Sequence, residues 1–575
     1  MLQGFYWDSF GDTQWATLES QADELSRYFS LIWVPQSGNC DGTSMGYNPK
    51  YYWDQNSSFG SEAELRSMIS TFKAKGLGTI ADVVINHRQN LSGWFDFPKE
   101  TYKGETYEML STDIVSDDDG GKAAAEAKKQ GVQLSANKDS GEGWDGMRDI
   151  DHASANVQRI IKAYEDYLLN DLGYTGFRYD VGKGFAAKYF GMYNVAAKPQ
   201  FSVGEVWDGN NVIKNWIEGT KTDGAIQSAA FDFQFKYQVR DAVDQSNWAK
   251  IAGDNCLIKT DAYKRYAVTF LENHDTEIRP DGSSNGPLRK DTLAANAYML
   301  AMPGTPCVFI KHWMAYKKEI KQMIEVRRMA GIHSESAFRS LSPGTKCTAM
   351  LITGTNTELI VAVGQTASTY SRNGFKELTS GYHYKYLVPE SFDTSAWPDI
   401  VKRIEEETKT PDQPTPSEPT IPECATVQDG TYAYFEKPAT WASTINVWAW
   451  YTGGANLYGN ISWPGTSKDV TVAGTNPANS SKVYLWKYSG TGKAPAMIIF
   501  NDGSRQTTDL TFTNGGYYNQ NGLVGVVTAG ITAPIADAAV SDSRIFTVSG
   551  QYVGSSTANL RPGLYIQHGK KLLVK

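Results

Sequence analysis

Charged residues recur at the ends of apolar runs in this chain, where an unpaired buried carboxylate would stay protonated or weaken the fold by several kcal/mol. In "GFRYDVGKG" (176–184), Arg178 and Asp180 stand two apart, so an extended strand puts them on one face and Tyr179 on the other. "ADVVINH" supplies Asp82 and Asn86 on one face with His87 just beyond, "GEVWD" supplies Glu205, and "ENHD" supplies His274 and Asp275. Singly, each has an ordinary structural role open to it: Asp82 as a satisfied interior polar group, His87 as a structural histidine, Asp275 as a helix cap. Together, three carboxylates at three strand ends repel one another, which a fold tolerates where function requires it. Two facing carboxylates, one ionised and one held protonated, are what cleavage of a glycosidic acetal needs. Arg178 would keep Asp180 ionised, and Glu205, flanked on its own face by Val203 and Trp207, is the candidate proton donor with a raised pKa. Lys183 reads as a substrate-binding cation.

These residues need a scaffold that gathers strand ends. Up to about residue 331, eight strand-like runs alternate with amphipathic segments: 2–7, 31–35, 79–86, 176–180, 201–207, 229–235, 267–275 and 307–312. Helical spacing relates Trp15, Leu18, Ala22, Leu25 and Phe29, then Leu65, Met68, Ile69 and Phe72, then Val157, Ile160, Ile161, Tyr164 and Leu168, with Gly76 and Gly173 at C-cap positions. Alternation predicts an α/β fold with a parallel sheet, and eight repeats predict a closed (β/α)8 TIM barrel whose active face lies at the carboxyl ends of the strands. A doubly wound open sheet is the alternative, weakened by the lack of a glycine-rich phosphate turn after the first strand.

The expected domains are a barrel over 1–87 and 151–331, a small domain inserted after the third strand over 88–150, and a β-sandwich over 332–401. A proline-rich linker over 402–426, a second β-sandwich over 427–530 and a β tail over 531–575 follow, the tail ending in a hairpin that turns at His568-Gly569. The 575 residues are 41% hydrophobic and 12% aromatic with net charge −8. That balance offers no basic footprint for nucleic acid, and no apolar run is long enough to span a bilayer. Sixteen tryptophans and 32 tyrosines suit a core and also suit the flat faces of sugar rings. Five scattered cysteines argue against a complete disulfide framework. The first residues read as a strand with no signal peptide ahead of it.

In order, "DVVINH" (82–87), "GFRYDVGKG" (176–184), "GEVWD" (204–208) and "ENHD" (272–275) resemble the four conserved regions of the alpha-amylase family of retaining glycoside hydrolases, over roughly residues 1–400. The resemblance implies Asp180 as nucleophile, Glu205 as general acid/base and Asp275 as the third carboxylate, binding sugar hydroxyls. It also implies His87 and His274 as hydrogen-bond partners of the sugar, Arg178 as orienter of Asp180, Tyr47 of "GYNP" stacked beneath the sugar, and Lys183 on the leaving-group side. Gly184 stands where many members carry histidine, as in plant-type members. A Ca2+ ion is implied between barrel and inserted domain, with Asn86, Asp139, Asp149 and the Gly184 carbonyl as ligands, although Asp139 and Asp149 also read as solvated loop acids. "YAYFEKP…W…VWAW" resembles small starch-binding domains, which implies glucose-stacking roles for Tyr432, Tyr434, Trp448 and Trp450. The tail resembles C-terminal sorting segments of secreted proteins. The resulting expectation is an endo-acting enzyme on alpha-glucan polysaccharide, secreted or at the cell surface and acting as a monomer. Transglycosylase, debranching enzyme and non-catalytic glucan-binding protein stand as the rivals.

Overall fold

A computed structural model describes residues 1–279, 282–408, 421–438, 441–476, 481–507, 509–520 and 522–527, and the backbone of 545–547, 552–554, 563–567 and 570–574. Two compact units divide the chain, Met1–Pro411 and Asp412–Lys575.

In the first unit, β1 (Leu2–Gln3), β2 (Leu31–Trp33), β3 (Gly78–Val83), β4 (Gly176–Tyr179), β5 (Phe201–Gly204), β6 (Ala229–Phe231), β7 (Ala267–Phe270) and β8 (Thr305–Phe309) pair in sequence, and β8 returns to β1. Every pairing is parallel, so the sheet is the closed barrel the alternation predicts. The ladders are shorter than the apolar runs. They stop before Asn86, His87, Asp180, Glu205, His274 and Asp275, which therefore sit beyond the barrel ladders, on the segments that leave the strands. Gly76 and Gly173 adopt positive φ at helix ends, as C-caps do, and Gln21 divides the first helical stretch into Trp15–Ser20 and Ala22–Tyr28.

Between β3 and β4 the chain leaves the barrel. His87–Arg88 pairs with Arg148–Asp149, a hairpin joins Glu100–Tyr102 to Glu105–Tyr107, and one helix spans Lys122–Gln130. This segment is poor in aliphatic residues, and buried ion pairs tie it together: Arg88 to Glu100 at 2.7 Å and Arg148 to Asp118 at 2.6 Å.

After the barrel, β9 (Ala337–Ser342), β10 (Thr348–Thr353), β11 (Glu358–Val363), β12 (Phe375–Gly381) and β13 (Tyr384–Pro389) form one antiparallel sheet in the order β9-β10-β11-β13-β12. The expected sandwich is therefore corrected to a single sheet. Its second layer is the barrel itself: Met350, Ile352, Leu359 and Val361 join the barrel core, and Tyr386 donates a hydrogen bond to the Ala297 carbonyl in the helix Thr292–Ala301. The expected linker is corrected at its start, since residues 402–408 continue the helix Trp397–Thr408. Pro398 is tolerated in its first turn, Ile404 is buried, and the acidic run is paired, with Glu407 bonded to Arg27 and to Lys321. Residues 409–420 of that linker lie outside the described residues.

In the second unit, β14 (Tyr432–Glu436), β15 (Asn446–Trp450), β16 (Val470–Thr475), β17 (Lys482–Lys487), β18 (Met497–Asn501), β19 (Leu510–Thr511), β20 (Gly516–Asn519) and β21 (Gly522–Val526) build two sheets, β16-β17-β14-β20-β21 and β15-β18-β19. Ala433, Phe435, Val447, Ala449, Trp486, Ile498 and Phe500 share a single core, as in a sandwich. Strands Ile545–Thr547, Tyr552–Gly554, Gly563–Gln567 and Lys570–Val574 form a separate four-stranded sheet. The last two strands pair as a hairpin, whose turn at 568–569 lies outside the described residues.

Candidate active site

The barrel register places Asp82 beside Arg178, and Arg178 beside Val203, two residues short of Glu205. From there the Arg178 guanidinium, wholly buried, serves three carboxylates. Nη1 donates to Asp82 Oδ1 and Asp180 Oδ1, each at 2.7 Å, and Nη2 lies 2.8 Å from Glu205 Oε2. The Glu205 contact is an ion pair whose angle is too bent for a hydrogen bond, so Nη2 and Nε have no hydrogen-bond acceptor among the described residues. The Trp33 ring covers the guanidinium at 4.9 Å, and Trp33 Nε1 donates to Asp82 Oδ2 at 3.1 Å. Val181, next to Asp180, takes φ +44°, a strained conformation for a β-branched residue. Its N–H donates to Glu205 Oε2 at 3.3 Å, which links the loops after β4 and β5.

Burial dominates the electrostatics. It raises Glu205 to about 8; Arg178 opposes this, and the charges of Asp180 and Asp275 add to it. Burial also raises Asp180 to about 6 against the pull of Arg178, with Asp82 and Asp275 adding to the rise. Arg178 pulls Asp180 toward its ionised form and so limits a rise that desolvation drives. The order of the two groups, with Glu205 above Asp180, is the one a proton donor and a nucleophile require at neutral pH.

His274, Tyr47 and Asp82 form a relay. Gln3 Nε2 donates to His274 Nδ1 at 3.0 Å, which puts the ring proton on Nε2, 2.6 Å from Tyr47 Oη. Tyr47 donates in turn to Asp82 Oδ2 at 3.0 Å. The rings of Tyr47 and His274 stack at 5.2 Å, and burial lowers His274 to about 4, so it is neutral. His87 is lowered to about 4 for the same reason, and its Nε2–H donates to the Tyr47 carbonyl at 3.0 Å.

A cleft of about 530 Å³ brings Tyr47, His87, Asp180, Lys183, Glu205 and Asp275 together. Lys183 Nζ stands 2.9 Å from both Glu142 and Asp208, at one side of it. Trp207, the expected apolar flank of Glu205, lines the cleft too, as do Trp7 and Trp144, to which the motifs assign no role. Trp144 stacks on His87 at 5.2 Å. A lone tryptophan within the glycine- and acid-rich "GEGWDG" is the signal that could have found it.

Asn86, Asp139 and Asp149 also converge. Asn86 Nδ2 lies 3.3 Å from Asp149 Oδ1, and a Cβ built at Gly184 would collide with Asn86 Oδ1. Asp139 Oδ2 is buried with no hydrogen-bond partner among the described residues. Burial raises Asp149 to about 8, aided by the charges of Asp118 and Asp139, and burial raises Asp139 as well. Two desolvated, mutually repelling carboxylates with an orphaned oxygen, beside an amide and a close backbone, fit an oxygen-only cation site. Among the described residues no group of three or more His, Cys, Asp or Glu does so.

In the second unit the four expected aromatics separate. Tyr432 and Tyr434 are 4% and 1% exposed, which removes them as stacking surfaces. Their face of β14 packs on Ile421, Cys424, Ala425 and Val527, and Tyr434 Oη donates to the Thr426 carbonyl at 2.7 Å. Trp448 and Trp450 alternate with buried Val447 and Ala449 and remain half-buried. Trp463, 45% exposed and absent from the expected set, stands 5.8 Å from Trp448.

Residues 29–318 match the family model described as alpha amylase, catalytic domain, and residues 433–512 match starch-binding module 26. The chain is 28% identical over 408 residues to probable alpha-amylase 2 of Arabidopsis thaliana, covering 67% of this chain and 92% of that protein. It is 27% identical over 399 residues to glucan 1,4-alpha-maltotetraohydrolase of Stutzerimonas stutzeri, covering 63% and 67%. A solved alpha-amylase from Malbranchea cinnamomea aligns with TM-score 0.49 and 17% identity, covering 66% of this chain and 89% of that one.

Proposed function

The chain belongs to the alpha-amylase family of glycoside hydrolases, and from that premise we propose how its cleft works: it is an endo-acting enzyme that hydrolyses alpha-1,4-glucosidic bonds of starch, glycogen or maltooligosaccharides with retention. Asp180 attacks the anomeric carbon while Glu205 gives its proton to the departing glycosidic oxygen, leaving a glycosyl ester on Asp180. Glu205, now ionised, takes a proton from water, which attacks the same carbon and releases Asp180. Asp275 binds sugar hydroxyls, Tyr47 stacks below the ring, neutral His87 and His274 hydrogen-bond it, and Lys183 serves the leaving side. The observation that carries this reading is the shared guanidinium: Asp180 and Glu205 meet at Arg178, with Glu205 holding its proton to higher pH.

On soluble amylose, viscosity should fall well before reducing ends accumulate, and proton NMR of the first product should show the alpha anomer. First-formed beta anomer, or activity surviving Asp180→Asn, would sink the mechanism. Glucan chains transferred to an added acceptor sugar in preference to water would favour the transglycosylase.

Asn86, Asp139, Asp149 and the Gly184 carbonyl would hold a calcium ion. When bound, the ion supplies positive charge that neutralises the two carboxylates and cross-links the inserted segment to the barrel. Asp149 Oδ2 accepts from the Trp144 N–H at 2.8 Å, so the order this imposes extends to a cleft-lining ring. Chelation should lower the melting temperature and calcium, rather than magnesium, should restore it. The module over 427–530 would hold the enzyme on insoluble glucan and raise its effective concentration there. A polymer substrate outside the cell implies export, which fractionation of the producing cells would test.

A further inference from the structure

Four residues beyond Asp275, Arg279 takes no part in the steps above. Its Nη2 lies 3.3 Å from Asp275 Oδ1 and 3.4 Å from the His274 carbonyl, and its guanidinium sits 3.8 Å over the Trp7 ring. The other carboxylate oxygen, Asp275 Oδ2, faces His274 Nε2 at 3.2 Å. Asp275 is thus held at Oδ1 by the guanidinium, while Oδ2 lies near a neutral imidazole whose Nε2 proton goes to Tyr47. Trp7 is fixed as well: its N–H donates to Glu277 Oε1 at 2.8 Å, and Glu277 pairs with Lys311. The Trp7 ring lies parallel to Tyr47 and His274, at 7° and 6°. Arg279 is therefore the outer plate of a stack in which Trp7 and Tyr47 line the cleft, while Arg279 and the buried His274 lie outside that lining.

Asp275 stands at the cleft with its side chain 27% exposed, open enough for a lone carboxylate to change rotamer. A carboxylate that must meet sugar hydroxyls in a distorted ring is effective in one orientation only. We propose that Arg279 is a positioning residue: it holds Asp275 in the orientation that engages the sugar in the transition state. This rests on the role given to Asp275 above. The rival is that Arg279 merely staples the 274–279 turn to Trp7, which would affect folding and not depend on Asp275.

The test is a double-mutant cycle on the full chain, with Arg279→Gln, Asp275→Asn and the pair, assayed on maltoheptaose. Arg279→Gln should lower kcat by roughly 10- to 100-fold with KM changed by less than about threefold, since the contact acts in the transition state. In the Asp275→Asn background the same change should add less than about twofold. Arg279→Lys, which keeps the charge, should recover part of the loss; if Arg279→Gln fails to fold, Arg279→Lys takes its place in the cycle. A loss carried undiminished into the Asp275→Asn background overturns the proposal, and so does an Arg279 variant with unchanged kcat. If Asp275→Asn itself leaves kcat intact, the role of Asp275 falls and this proposal with it; if only the Arg279 variants are silent, that role survives.

Discussion

The cleft and the starch-binding module are both rich in aromatic rings, yet they hold them in opposite ways. In the cleft, rings and charges are interlocked: Trp33 covers Arg178, Tyr47 is bonded to Asp82 and stacked on His274, and Arg178 is fully buried between carboxylates. In the module, Trp448 and Trp463 lie on the outside of strand and loop, with the core built from their neighbours Val447 and Ala449. The difference teaches what each region is built to resist. A transition state needs charges that do not move, so the cleft tolerates desolvation that raises Glu205 to about 8. A granule surface needs only flat faces at modest affinity, which half-exposed rings supply singly.

The largest effects should come from the interlocked side. Asp180→Asn should lower kcat by at least ~10^4-fold, because no neighbouring group can form the ester in its place. Glu205→Gln should lower it by about 10^2- to 10^4-fold for substrates with poor leaving groups. The wild-type pH profile should be bell-shaped. Activity rises as Asp180 ionises near pH 6 and falls as Glu205 loses its proton near pH 8, the two limbs being properties of the coupled pair. Glu205→Gln should abolish the alkaline limb in steady-state assays across the neutral range; a limb that persists would assign it elsewhere.

Arg178→Lys comes next. A single ammonium cannot span Asp82, Asp180 and Glu205 as the planar fork does, so kcat/KM should fall by about 10^2-fold or more. Removing the charge with Arg178→Met should also destabilise the unit by about 3–5 kcal/mol, since three buried carboxylates lose their partner. Thermal unfolding would measure this, and an unchanged melting temperature would show that the network is not under such tension.

Much of the interlocked side was legible in the sequence, because a parallel barrel converts "strand end" into "active face" and period two converts Arg178 and Asp180 into neighbours. What was not legible lies off the strands. Trp144 reaches His87 from within the inserted segment, and no periodicity relates the two. The acidic run "EEET" (405–408) has the composition of a spacer, yet it ends a helix, because Glu407 is paired with Arg27 and Lys321 from other helices. In the module, alternation showed that Tyr432 and Tyr434 share a face, but not that Ile421, Cys424 and Ala425 pack on it. Trp463 escaped because a loop tryptophan carries no pattern at all.

Trp448→Ala and Trp463→Ala should each weaken binding to granular starch by roughly 2- to 10-fold, the range of a single stacking contact. Turnover of soluble maltooligosaccharides should stay at the wild-type rate, since the cleft is untouched. Co-sedimentation with starch granules, beside assays on soluble substrate, separates the two. If the two losses multiply in the double variant, the rings act independently, as the loose side of the comparison requires; a single ring accounting for the whole loss would instead mean one rigid site.

The smallest effect is expected at Tyr434→Phe, and it bears on the comparison because the resemblance implies a glucose-stacking role for this residue. Tyr434 is 1% exposed, and its hydroxyl donates to the Thr426 carbonyl and accepts from the Thr426 N–H at 3.0 Å. Removing the hydroxyl leaves the ring packed, and water can replace it at exposed Thr426. The loss should therefore be about 1 kcal/mol in the stability of the module, the usual worth of such a bond. Starch binding should not change. A binding loss matching that of Trp448→Ala, with no fall in melting temperature, would mean that Ile421, Cys424 and Ala425 lift away and that the face beneath them meets glucan after all.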